Sequence, residues 1–119
     1  MASILLVEDH MDMQAMLREL LEWEGHVVWV GRTGYEGLNV LDDANPLPDV
    51  IISDLSMPVM DGLEFLDEVR KNSHWSGIRF VMMSANPQDE RLQNIQIAGL
   101  SGILPKPFTV EELNRLLEQ

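Results

Sequence analysis

Five positions in this chain carry groups suited to handling a phosphoryl group: Glu8, Asp9, Asp54, Ser84 and Lys106. Each lies within two residues of the end of a short apolar run. Ile4-Leu5-Leu6-Val7 precedes Glu8 and Asp9, Val50-Ile51-Ile52 leads to Asp54, Phe80-Val81-Met82-Met83 leads to Ser84, and Ile103-Leu104 leads to Lys106. Three carboxylates gathered in one crevice repel one another, and their charged forms call for a counter-ion. Hard oxygen ligands suit Mg²⁺, which takes one or two carboxylates together with waters and a phosphate oxygen. Carboxylates that form aspartyl-phosphates are an established class of nucleophile. A hydroxyl and an ammonium are the groups that chemistry would place around the transferred oxygens. Lysine is scarce here, with only Lys71 and Lys106, and Lys106 lies between two prolines rather than on a solvated helical face.

For these groups to meet, the apolar runs must be parallel strands whose carboxyl ends share one edge. The run ending at Asp54 has β-branched isoleucines and no alternation, which predicts a strand buried on both faces. Pro58 and Asp61-Gly62 then mark a loop into a helix. Met13, Met16, Leu17, Leu20 and Leu21 recur at helical spacing before Gly25, predicting a first helix with a glycine stop. Val27-Val28-Trp29-Val30 is a second strand. Thr33 with Glu36, Asp61 with Glu64 and Thr109 with Glu112 have the spacing of capping boxes and open the second, third and fifth predicted helices. Asn86-Pro87 reads as an N-cap and first-turn proline of a fourth helix running to about Ala98. Strand-helix alternation repeated five times predicts an α/β fold with a five-stranded parallel sheet, right-handed crossovers and helices on both faces. Residues 1–119 then form a single domain, with no linker or internal repeat.

Bulk composition narrows the function. The 119 residues include 20 acidic and 8 basic side chains, for a net charge of −12. Clustered Lys and Arg are needed to neutralise phosphates, so direct nucleic-acid binding and an anionic membrane surface are both disfavoured. No apolar run has the length of a membrane span. Cysteine is absent, which removes disulfides and thiolate metal sites and fits a cytoplasmic setting.

Taken in order, Val7-Glu8-Asp9, then Ser53-Asp54-Leu55-Ser56-Met57-Pro58-Val59-Met60-Asp61-Gly62, then Ser84-Ala85, then Lys106-Pro107-Phe108 resemble a bacterial response-regulator receiver domain of two-component signalling. The resemblance covers essentially the whole chain. It implies a flavodoxin-like, doubly wound (βα)5 three-layer sandwich with strand order 2-1-3-4-5. It also implies that Asp54 is the phosphoacceptor and that Asp9, Asp54 and the backbone carbonyl of Ser56 bind Mg²⁺, with Glu8 completing the acidic pocket through water. Ser84 becomes the switch hydroxyl, and Lys106 pairs with the phosphoryl oxygens beside a Lys106-Pro107 bond that is often cis in the family. The implied partners are a sensor histidine kinase or histidine phosphotransfer protein as donor, and a downstream protein or fused output domain. The face formed by the fourth helix, fifth strand and fifth helix is a candidate homodimer surface. Such a domain is a signalling module phosphorylated on Asp54, not an enzyme acting on a separate substrate. One position departs from the pattern: Ile103 stands where the family usually has Tyr or Phe, so phosphotransfer is expected to survive while output coupling differs.

Other residues have plainer expected roles. Asp61 is expected to be a helix cap rather than a ligand. His10, His26 and His74 lack metal-ligand spacing and are expected to be structural or solvent-facing. Trp23 and Trp75 are expected to be exposed. A magnesium-dependent phosphohydrolase of similar fold would need an acid/base aspartate two residues after the nucleophile, where this chain has Ser56.

Overall fold

The computed structural model describes residues 2–86, 89, 92 and 100–118. Its elements are β1 (Ser3–Val7), α1 (Met11–Trp23), β2 (Val27–Gly31), α2 (Gly34–Asp43), β3 (Val50–Asp54), α3 (Gly62–Lys71), a 3-10 turn (Ser73–Trp75), β4 (Arg79–Ser84), β5 (Gly102–Pro105) and α4 (Val110–Leu117). All five strands are parallel, in the order β2-β1-β3-β4-β5. This is the flavodoxin-like arrangement expected from the sequence. The predicted fourth helix falls largely outside the described residues, although Leu92 is described as helical and buried. The label α4 therefore belongs to the helix predicted fifth from the sequence.

Alternation along the strands divides the core into two layers. Leu5, Val7, Ile51, Phe80 and Met82 point to one face and pack with Leu41 of α2 and Phe65, Leu66 and Val69 of α3. Phe65 and Phe80 meet edge to face, with ring centroids 5.5 Å apart. Ile4, Leu6, Ile52, Val81 and Met83 point to the other face and pack with Leu17 and Leu21 of α1 and Leu113 of α4. All five residues of β3 are buried, as a central strand covered on both faces requires.

The capping predictions resolve individually. Asp61 and Thr109 form complete capping boxes with Glu64 and Glu112. Thr33 accepts from the Glu36 amide, but the Glu36 carboxylate turns back to the Arg32 amide instead of completing the box. Gly25 supplies the left-handed residue after α1, with φ of 92°. Trp23 is 87% exposed as expected, whereas Trp75 is only 8% exposed and joins the core. Its turn is capped by the Asn72 side chain, which accepts from the His74 amide, and Arg70 Nη1 donates to the Trp75 carbonyl. Those bonds fix the backbone of the turn that carries Trp75. His26 is structural: its Nδ1 accepts from the Ala2 amide.

Candidate functional site

Register sets the site. Val7 lies beside Ser53, Asp54 beside Met83, and Ser84 beside Pro105. The residues that leave β1, β3, β4 and β5 at their carboxyl ends are therefore neighbours, at the edge where open α/β sheets bind ligands. Three backbone bonds extend the ladders past the strands: Glu8 N donates to the Gly31 carbonyl at 3.0 Å, Leu55 N to Met83 at 2.9 Å and Lys106 N to Ser84 at 2.8 Å. Pro105 lacks an amide, but the Lys106 amide continues the pairing. The Lys106-Pro107 bond is cis.

At this edge lies a cavity of about 280 Å³ lined by Glu8, Asp9, His10, Met13, Asp54, Ser56 and Lys106. Carboxylate oxygens of Glu8, Asp9 and Asp54 lie within 4.8 Å of one another. The Lys106 ammonium bridges two of them, 3.0 Å from Glu8 Oε1 and 3.2 Å from Asp54 Oδ1. Glu8 is 1% exposed, and its other oxygen, Oε2, accepts from the His10 amide at 3.3 Å.

The electrostatics reflect this crowding. Burial pulls the Lys106 ammonium down, but the Glu8 hydrogen bond and the Asp54 and Glu8 charges outweigh it, and the net shift is upward. Asp9 is pushed above the usual carboxylate range, first by burial and then by its bond to Glu8. One ammonium therefore faces three carboxylates. The donor set is hard oxygen throughout and carries excess negative charge beside open volume, which fits a small divalent cation such as Mg²⁺.

Five of the sequence-predicted residues thus share one cavity: Glu8, Asp9, Asp54, Ser56 and Lys106. Ser84 does not line it. Its hydroxyl is buried, donates to the Asn86 carbonyl at 2.9 Å and accepts from the Asn86 amide at 3.1 Å. Ile103 is half-buried against the Phe65–Phe80 layer. Asp61 is a cap, as expected. Gly62 brings the start of α3 against the end of β3: its amide donates to the Leu55 carbonyl at 2.8 Å, and a Cβ there would lie 2.5 Å from the Asp54 carbonyl oxygen.

Two cavity residues, His10 and Met13, carried no site signal in the sequence. A third participant stands behind the cavity. Gln14 is 5% exposed, and its Nε2 donates to the carbonyls of Glu8 at 3.1 Å and Gly31 at 3.0 Å. Its only sequence signal is a polar residue three positions before Leu17, on the buried stripe of α1.

Comparison with known proteins agrees with the fold. The family model described as response regulator receiver domain matches residues 4–118. The KDP operon transcriptional regulatory protein KdpE of Escherichia coli is 35% identical over 117 residues, covering 98% of this chain and 50% of KdpE. The chain thus spans half the length of that relative. Among solved structures, the chemotaxis protein CheY4 of Vibrio cholerae superposes with a TM-score of 0.89 at 35% identity, covering 99% of this chain and 97% of that one. The receiver domain of a sensor histidine kinase from Pseudomonas aeruginosa, which holds a magnesium ion in its active-site cleft, superposes with a TM-score of 0.88 at 28% identity over 98% and 94% of the two chains. The chain belongs to the response regulator receiver domain family of two-component signalling. Among the described residues, no helix is long and apolar enough to cross a membrane.

Proposed function

We propose that residues 1–119 form one receiver domain that accepts a phosphoryl group on Asp54 from a kinase or phosphotransfer-protein phosphohistidine, and that this changes partner binding. One observation carries the reading: the Lys106 ammonium sits between Glu8 and Asp54 at the edge of the three-carboxylate cavity. An Asp54 carboxylate oxygen attacks phosphorus, the new O–P bond forms as the P–N bond breaks, and the leaving imidazole keeps the electron pair and takes a proton from solvent. Asp9, Asp54 and the Ser56 carbonyl would hold Mg²⁺, with Glu8 acting through water. The ion would neutralise charge on the incoming phosphoryl oxygens. Lys106 already touches Asp54 and is within reach of those oxygens. Ser84 must give up the bond it donates to the Asn86 carbonyl to donate to them, and that exchange is the proposed switch. The magnesium in the Pseudomonas relative supports the cation assignment. The acidic charge and absence of cysteine support a cytoplasmic protein that contacts proteins rather than nucleic acid. The proposed dimer face includes the predicted fourth helix, which lies largely outside the described residues.

Incubation with a small phosphodonor and Mg²⁺ should give an acid-stable, base-labile adduct that Asp54→Asn abolishes. An adduct that persists in Asp54→Asn refutes the assignment.

Ile103 favours a second reading, in which the domain binds its partner without phosphorylation. An aliphatic side chain half-buried against the core offers no large ring to change rotamer. Partner or self-association that is identical with and without beryllofluoride would support this reading, and a large change would exclude it.

A further inference from the structure

We propose that Gln14 is a positioning residue for the cation site: its buried carboxamide fixes the Glu8 carbonyl, and with it the turn that carries Asp9. The inference rests on the cation assignment above.

The turn holding Glu8, Asp9 and His10 connects β1 to α1. A helix start is usually fastened by a side-chain cap, but His10 occupies the cap position and makes no side-chain cap bond. The fastening comes from inside the fold. Glu8 N donates to the Gly31 carbonyl, Gln14 N donates to the His10 carbonyl at 2.8 Å, and Gln14 Nε2 spends its two N–H groups on the Glu8 and Gly31 carbonyls. One carboxamide thus ties the carboxyl ends of β1 and β2 to the first turn of α1. Because the peptide unit is planar, fixing the Glu8 carbonyl also fixes the amide plane that leads into Asp9. The Asp9 Cα lies in that plane, so its position is set along with it, and its carboxylate lies within 4.8 Å of those of Glu8 and Asp54.

The choice of residue supports this role. Gln14 shares the buried stripe of α1 with Leu17 and Leu21, where a hydrocarbon would serve packing equally well. Burying an amide is costly unless its bonds are made. Here they are made, to the two strand ends beside the acidic pair. Outer-shell partners of this kind commonly govern metal affinity without touching the metal.

The test is a Mg²⁺ titration of the full chain monitored by ¹H–¹⁵N NMR, comparing wild type with Gln14→Met, Leu17→Ala and Asp9→Asn. Methionine keeps the length and neutrality of glutamine but donates nothing. Leu17→Ala loosens the same helix one turn further on, away from the Glu8 carbonyl. The expected result is an affinity about 10-fold weaker in Gln14→Met, unchanged in Leu17→Ala and lost in Asp9→Asn. If Gln14→Met binds as wild type does, or Leu17→Ala weakens binding equally, the positioning role is overturned while the cation site stands. If wild type binds no Mg²⁺, the functional reading itself fails. Gln14→Asn is the second variant should Gln14→Met not fold. It keeps the amide on a shorter stem that cannot span both carbonyls, so a comparable loss is expected, and wild-type affinity in it also overturns the role.

Discussion

Removing the Lys106 ammonium isolates the central electrostatic claim. In Lys106→Met the stem is retained and the charge is lost. The ammonium is 3.0 Å from Glu8 Oε1 and 3.2 Å from Asp54 Oδ1. At an effective dielectric of about 20, each contact is worth roughly 5 kcal/mol before desolvation. Desolvation of the ammonium and of Glu8 offsets much of this in the wild type. In the variant, the desolvation of Glu8, which is 1% exposed, remains without compensation. Breaking a buried pair by deleting one partner costs about 3–5 kcal/mol. The Lys106 side chain is 18% exposed and the Asp54 side chain 12%, so the lower end applies, about 3 kcal/mol. For a chain of this size that is a fall in Tm of roughly 10 °C.

Two features separate this outcome from a simple packing loss. Saturating Mg²⁺ should recover part of the deficit, because a cation among the three carboxylates replaces the missing charge. The pH dependence also has a definite sign. Lys106 has a folded pKa raised above 10.5, so its contribution is complete below the unfolded value and disappears as pH rises through the folded one. The wild-type advantage should therefore hold at neutral pH and shrink in alkali. Urea unfolding of both proteins at neutral and alkaline pH, with and without Mg²⁺, measures all three effects. Equal stability of the two proteins, or a deficit that Mg²⁺ leaves untouched, would refute the pairing argument.

Asp9→Asn should raise Tm in the absence of divalent cations while abolishing Mg²⁺ binding. The raised Asp9 pKa means the charged form is disfavoured in the fold, so its cost is present above the folded value and fades as pH falls toward 3.8; thermal melts with and without Mg²⁺ read both effects. Gly62→Ala should destabilise by about 2–3 kcal/mol in urea titration, because the new Cβ meets the Asp54 carbonyl and Met82 Sδ, both at 2.5 Å. Val59 has φ of 71°, and the Met60 amide donates to the Pro58 carbonyl at 2.9 Å, which makes a strained γ-turn around an 81% exposed side chain. Relief of about 1–2 kcal/mol of backbone strain should outweigh about 0.5–1 kcal/mol of added chain entropy, so Val59→Gly should be slightly more stable by the same titration. Arg79 donates to the Leu116 and Leu117 carbonyls at 3.3 and 2.7 Å; Arg79→Met should cost about 1–2 kcal/mol and speed amide hydrogen exchange in α4.

The parallel strand-helix alternation and the chemical edge were legible because they depend on periodicity and on the polar residue that ends each apolar run, whereas the strand order was implied by the family resemblance. Three features were not legible. Trp75 comes after a polar stretch, and a three-residue turn is too short to show a burial period; only the folded chain shows that the ring joins the core. Gln14 was hidden because an amphipathic helix is read from its apolar residues, and a satisfied buried amide leaves no apolar signal. The direction of the Ser84 hydroxyl is a rotamer, and rotamers are set by neighbours such as the Asn86 backbone rather than by position along a strand.

Ser84 and Ile103 together constrain how a signal could leave the site. The Ser84 carbonyl accepts from the Lys106 amide, so β4 and β5 are tied at the cavity edge whatever the hydroxyl does. Ile103 lies beside Met82 on the adjacent strand and packs into the Phe65–Phe80 layer. Release of the Ser84 hydroxyl from Asn86 would first alter the chain after β4, because both of its bonds are to Asn86. An aromatic ring at position 103 could convert that local change into a large rotamer swing. An isoleucine, stiff at χ1 and half-buried against the core, transmits displacement only by moving its strand. A phosphorylation signal in this chain is therefore expected to appear mainly in the segment after Ser84, with β5 and α4 changing little. Amide hydrogen exchange with and without beryllofluoride would locate it, and a response centred on α4 would contradict this route.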